Sequence, residues 1–124
     1  IEKNYFSYNY FIEYLNLSHN QIETIDNHSF ESSSLYVLDL SFNRIKVFTQ
    51  QYLLNVEYIY LNNNELNIFS NIDLNIVVIV IDLSFNNLAG KLDRSLRNLL
   101  TRVLRVNNNK LDLLEDGSFY QMTY

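Results

Sequence analysis

The side chains that could support hydrolysis lie near the start of the chain: Ser18, His19 and Asp39. A serine nucleophile needs a histidine base, a carboxylate that orients the histidine, and donors that stabilise the oxyanion. No glycine turn that could supply those donors accompanies these residues, because Gly90 and Gly117 are the only glycines of the chain. The sequence therefore does not predict an enzyme.

Metal and cofactor chemistry has little support either. Cysteine is absent, and the second histidine, His28, has no His or Cys at ligand spacing. The sequence also contains no glycine-rich loop of the kind that binds phosphate groups. We expect no catalytic residue, no metal site and no cofactor.

The composition is that of one globular domain of 124 residues, with 48% hydrophobic residues to form a core. A net charge of -5 argues against a nucleic-acid partner, because phosphate neutralisation needs an excess of Lys and Arg. The apolar run 76–81 is far shorter than the roughly 20 residues that span a bilayer as a helix. It reads as a buried strand, and we expect no membrane span in this segment.

An internal repeat determines which elements position any functional side chain. The pattern aliphatic-x-x-aliphatic-x-aliphatic-x-x-Asn-x-aliphatic recurs with its asparagine at Asn20, Asn43, Asn64, Asn86 and Asn109. A second apolar column lies ten residues after each asparagine, at Phe30, Leu53, Leu74, Leu96 and Phe119. In the fifth copy Thr101 takes the first aliphatic position and Leu100 stands one place earlier, which predicts a local slip.

Each copy of the pattern predicts a short strand followed by a bend. Alternating residues such as Leu15 and Leu17 point inward, and the residues between them point outward. Stacked coils pair their strands about 4.8 Å apart in a parallel sheet and cover each other's apolar faces. An inward asparagine side chain can satisfy backbone groups that the bend leaves unpaired, so the five asparagines predict a ladder.

With these repeats the chain resembles the leucine-rich-repeat family over nearly its whole length. The segments 28–30 and 116–119 resemble the typical subtype found in Toll-like receptor ectodomains and secreted insect immune proteins. The resemblance implies an α/β solenoid: a right-handed coil with a parallel β-sheet on the concave face and loops or short helical turns on the convex face. Residues 1–124 would form five full repeats with partial coils at both ends, a segment of a longer solenoid.

The resemblance also implies that partners dock on the concave face, where the outward strand residues lie. The aromatic residues and few charges there are typical of an interface core. We predict the partner-binding residues Tyr36, Asp39, Phe42, Tyr58, Tyr60, Asp82, Phe85, Arg102 and Arg105. High β-propensity alone also favours Tyr and Val on strands, so the cluster is stronger evidence than any one member. Arg102 and Arg105 suit either an acidic partner or a solvated surface.

Two functions stay open at this point. The first is an extracellular or cell-surface recognition module of innate-immune type that binds a protein ligand or co-receptor, with homo- or heterodimerisation as a further expectation. Asn27, in Asn27-His28-Ser29, would be its glycosylation acceptor. The second is a cytoplasmic adaptor or scaffold, or else a spacer within a larger receptor. The phenylalanine column favours the first, and the lack of cysteine leaves the second open.

Overall fold

The structure, a computed structural model, describes residues 1–26, 28–30, 34–48, 53, 55–69, 77–92 and 100–114. These residues form a stack of coils, each with one strand on the same side of the molecule. The strands of that side are short: β1 (Tyr14–Asn16), β2 (Val37–Asp39), β4 (Tyr58–Tyr60), β6 (Val77–Asp82) and β8 (Leu100–Arg105). We number the coils 1 to 5 in the order of these strands.

The five strands make one parallel sheet in the order β1-β2-β4-β6-β8. Leu15 pairs with Leu38, Leu38 with Ile59, Ile59 with Ile81, and Ile81 with Leu104. The sequence predicted these aliphatic residues at the same position of successive repeats, and the parallel sheet that they imply is confirmed.

The part of each coil that runs from the bend back to the next strand is called the return side. It carries two small parallel sheets. In one, β3 (Val47–Phe48) pairs with β5 (Ile68–Phe69), and in the other β7 (Ala89–Leu92) pairs with β9 (Lys110–Leu114). Gly90, with a φ of 73°, lies in β7 where the register with β9 shifts. The described residues contain no helix. The short helical turns allowed by the sequence are therefore not found there, because adjacent return segments run side by side and pair as strands.

The slip predicted in the fifth repeat does not occur, and this prediction was wrong. Leu100 pairs with Val77, Thr101 with Val78 and Val103 with Val80, so one register runs through β6 and β8. The Thr101 hydroxyl donates to the carbonyl oxygens of Ile79 and Val103, at 3.4 and 3.2 Å. A threonine can occupy an aliphatic column because its hydroxyl bonds backbone oxygens close by, which the aliphatic pattern of the repeat does not reveal.

The core is a continuous column of aliphatic side chains between the two sides. Leu38, Ile59 and Ile81 of the strands are fully buried, as are the aliphatic residues before and after them. Phe30 and Leu53 of the second column are buried too, whereas Leu74, Leu96 and Phe119 lie outside the described residues. In coil 1, by contrast, Leu15 and Leu17 are only half-buried, since each coil needs a neighbour on both faces for full burial.

The asparagines join one coil to the next at the bend after each strand. The Asn64 side-chain nitrogen donates to the carbonyl oxygens of Leu61 and of Leu40 in the preceding coil, at 3.1 and 2.9 Å. Its oxygen accepts from the Ile45 N–H at 3.0 Å. Asn43, Asn86 and Asn109 repeat this pattern. Asn20 donates only to Leu17 and Ser18 of its own coil.

Candidate functional site

The outward residues of the five-stranded sheet form a surface that we call the strand face. Pairing between neighbouring strands aligns these residues in two rows across the coils. The first row is Tyr14, Val37, Tyr58, Val80 and Val103, and the second is Asn16, Asp39, Tyr60, Asp82 and Arg105. The structure therefore brings Tyr58, Tyr60, Asp39, Asp82 and Arg105 onto one surface.

The acidic residues of the second row are engaged with their own backbone. The Asp39 Oδ1 atom accepts hydrogen bonds from the Ser41 N–H at 2.9 Å and from the Ser41 hydroxyl at 2.6 Å. Asp82 makes the same two bonds to Ser84, and Asn16 makes them to Ser18. Such turns end the strand and start the bend. The repeated motif of Asn or Asp, then Leu, then Ser is the sequence signal for this role.

A third row of outward residues lies within the bend, one residue before each ladder asparagine. Its members all have a positive φ between 54° and 56°, and we call them the left-handed row: His19, Phe42, Asn63, Phe85 and Asn108. Asparagine tolerates this backbone conformation well, whereas a bulky side chain there is an outlier. Phe42 and Phe85 are nevertheless 45% and 52% exposed, so burial does not compensate for the backbone cost.

The left-handed row also brings two aromatic rings of adjacent coils together. The His19 ring stacks on the Phe42 ring, with centroids 4.2 Å apart and planes inclined by 9°. Phe42 and Phe85 are separated by one coil, which at the spacing of parallel strands puts them about 10 Å apart. The row is therefore a narrow aromatic edge beside the strand face.

Tyr36 lies just before β2 and forms a cluster with two residues of coil 3. Its ring lies 5.5 Å from that of Tyr58, and its hydroxyl donates to the Glu57 carboxylate. That hydrogen bond, with partial desolvation and the negative charge of Glu57, raises the pKa of Tyr36 to about 12. Glu57 was not among the predicted site residues, since its contact with Tyr36 arises only when coils stack.

Coil 5 carries the basic residues of the strand face. Arg102 and Arg105 are both exposed, and an Arg105 nitrogen lies 3.6 Å from the Asp82 Oδ2 atom. Because that carboxylate is mostly buried and the guanidinium is half-exposed, the pair neutralises Asp82 locally. Asp39 is paired with Tyr60 in the neighbouring strand. An aromatic ring therefore stands beside Asp39, where Asp82 has the guanidinium of Arg105.

Each residue of the possible hydrolytic set is engaged with a partner outside that set. The Ser18 hydroxyl donates to Asn16, the His19 ring stacks on Phe42, and Asp39 accepts from Ser41. Within the described ranges no group of three or more His, Cys, Asp or Glu residues is placed to hold a metal ion. In the same part of the chain, no helix is long and apolar enough to cross a membrane. Asn27, the predicted glycosylation acceptor, lies outside the described residues.

The molecule is thus a solenoid of stacked coils with an exposed parallel sheet. Two models of the leucine-rich repeat match the sequence, one over residues 1–45 and the other over residues 78–99. The chain belongs to the leucine-rich-repeat family. No curated protein and no solved structure matched the chain. Leucine-rich repeats generally mediate protein binding and are typically not enzymes.

Proposed function

We propose that this chain is an extracellular or cell-surface recognition module that binds a protein partner through the strand face and the left-handed row. The partner-binding residues are the nine predicted from the sequence, with the aromatic ones as the main anchors. Tyr36, Phe42 and Phe85 are each more than 40% exposed, which leaves their rings accessible to a partner. Aromatic side chains that become buried when a partner binds contribute most to protein–protein affinity.

The observation that carries the proposal is the conformation of Phe42 and Phe85. Each combines an unfavourable positive φ with an exposed apolar ring. Asn63 and Asn108 occupy the same position in other coils, and asparagine suits both the backbone and the solvent there. Since the fold is better served by asparagine, the two phenylalanines are best explained by binding. Strain kept at a surface position is a recognised sign of function.

The extracellular setting is supported by the second apolar column, in which Phe30 and Phe119 resemble the phenylalanines of the typical repeat subtype. Phe30 of that column is buried and its ring stacks on Phe6, with centroids 5.6 Å apart. A cytoplasmic adaptor or a spacer segment is the alternative. The compartment from which the chain captures a partner distinguishes these functions.

The test is a capture experiment with extracellular fluid and, in parallel, with cytosol from the source organism. The wild type is compared with Phe42→Asn/Phe85→Asn and with Tyr58→Ala/Tyr60→Ala. We expect a protein to be captured from the extracellular fluid by the wild type only. The asparagine variant is the sharper of the two, because it removes the rings while the residue it introduces suits the left-handed backbone.

The matched control is Tyr8→Asn, which removes another exposed aromatic ring away from the strand face. Capture by this control should equal capture by the wild type. Capture from cytosol alone would favour the adaptor. Capture that survives both double variants would remove the strand face and the left-handed row from the interface and support the spacer function.

A further inference from the structure

The charge of the strand face differs between the first three coils and the last two. In coils 1 to 3 the residue before each strand is Glu13, Tyr36 or Glu57, and the outward strand residues add three tyrosines and Asp39. No Lys or Arg occurs at any of these positions, all of which the structure describes. We call this surface the acidic half. In coils 4 and 5, Arg105 neutralises Asp82 and Arg102 is exposed.

Two aromatic rings lie among the carboxylates of the acidic half. Strand register puts Tyr36 of coil 2 between Glu13 of coil 1 and Glu57 of coil 3, so the Cα atoms of the two glutamates lie about 10 Å apart on either side of it. The backbone links these coils directly, since the Tyr36 N–H donates to the Glu13 carbonyl at 2.7 Å and the Glu57 N–H to the Tyr36 carbonyl at 3.0 Å. The three residues therefore keep a fixed spacing.

This arrangement suits a cationic side chain better than any other ligand group. A guanidinium or ammonium group lying over the Tyr36 and Tyr58 rings gains a cation–π contact. The same group can reach the Glu57 carboxylate, which still has acceptor positions beside the one used by the Tyr36 hydroxyl. The raised pKa of Tyr36, at about 12, reflects the hydrogen bond to Glu57 and the negative potential that would attract the cation.

We infer that the acidic half of the strand face binds a basic segment of the partner protein, in which Arg or Lys side chains alternate with apolar ones. Alternation places the cations against Glu13, Tyr36 and Glu57 and the apolar side chains against Val37 and the rings beside it. This inference rests on the proposed function, because it names the chemistry of the partner at the same surface. The charge of this basic segment is opposite to that of the acidic partner that Arg102 and Arg105 alone would suggest.

The experiment measures binding of a short fluorescent peptide in which Arg alternates with Val, together with a neutral twin in which citrulline replaces Arg. We expect saturable binding of the arginine peptide and a loss of at least about tenfold in affinity for Glu13→Lys/Glu57→Lys at low ionic strength. The loss should shrink at high salt, since exposed charges are screened. Tyr36→Phe keeps the ring and should retain most of the affinity.

The matched control is Glu23→Lys/Glu65→Lys, which changes the net charge by the same amount at exposed positions off the strand face. Equal losses in the two double variants, or equal binding of the citrulline peptide, would show general attraction to an acidic protein and overturn the inference. Self-association of the chain that Glu13→Lys/Glu57→Lys abolishes would also overturn it, because a second copy would then be the occupant. If a partner is captured through Phe42 and Phe85 but is indifferent to Glu13→Lys/Glu57→Lys, only this inference fails.

Discussion

Phe85 has a φ of 54° at the position that Asn63 and Asn108 fill in other coils. A bulky side chain in this region costs of the order of 1 kcal/mol, and asparagine relieves much of that cost. We expect Phe85→Asn to raise the free energy of unfolding by about 1 kcal/mol, as measured by urea denaturation. Phe42→Asn should raise the free energy of unfolding by less, because it also removes the ring stacked on His19. A loss of stability in Phe85→Asn would mean that the ring is needed by the fold.

The raised pKa of Tyr36 predicts how the stability of the fold depends on pH. This pKa is raised to about 12, so between the ordinary value of 10.0 and 12 the folded state binds this proton more tightly than the unfolded state. The contribution of this group to the free energy of unfolding is therefore fully present below pH 10, and it is lost as the pH rises through 12.

The wild type should thus lose stability faster than Tyr36→Phe over this range, as measured by the urea midpoint. Glu57→Gln should lower the Tyr36 pKa in a tyrosinate absorbance titration, because it removes the charge that opposes ionisation. An unchanged titration would show that Glu57 does not control the hydroxyl.

The bend after each strand depends on its asparagine. Asn64 bonds carbonyl oxygens of two coils and accepts an N–H, all in a buried setting, whereas Asn20 bonds only its own coil and is exposed. A buried group left without a partner costs about 1–3 kcal/mol. We expect Asn64→Ala to lower the free energy of unfolding by about 3 kcal/mol or more, and Asn20→Ala by about 1 kcal/mol or less. Equal losses in urea denaturation would contradict a role of the asparagines between coils.

The whole molecule is held together by contacts between neighbouring coils. Leu61 in coil 3 is fully buried between two coils, whereas its counterpart Leu17 in coil 1 is half-buried. We expect Leu61→Ala to cost about 3–5 kcal/mol and Leu17→Ala clearly less, since less area and a smaller cavity are involved. Amide hydrogen exchange should rise throughout the sheet in the first variant and only in coil 1 in the second. Sheet-wide exchange in Leu17→Ala would show that the coils unfold as one unit.

The repeat, the inward aliphatic columns, the parallel sheet and the asparagine of each bend could all be predicted from the amino-acid pattern. This prediction is possible because a solenoid uses the same local pattern in every coil, so that position in the repeat fixes which way a residue faces. The alignment of Tyr58 with Val37 and Val80 followed from that periodicity alone.

The contacts between coils could not be predicted in this way. The stack of His19 on Phe42, the bond from Tyr36 to Glu57 and the pair of Arg105 with Asp82 each join two coils. The single register through Thr101 and the strand pairs of the return side also arise between coils. These features depend on side-chain and backbone groups that are distant in sequence and become neighbours only by stacking. A pattern read along one coil therefore could not contain them.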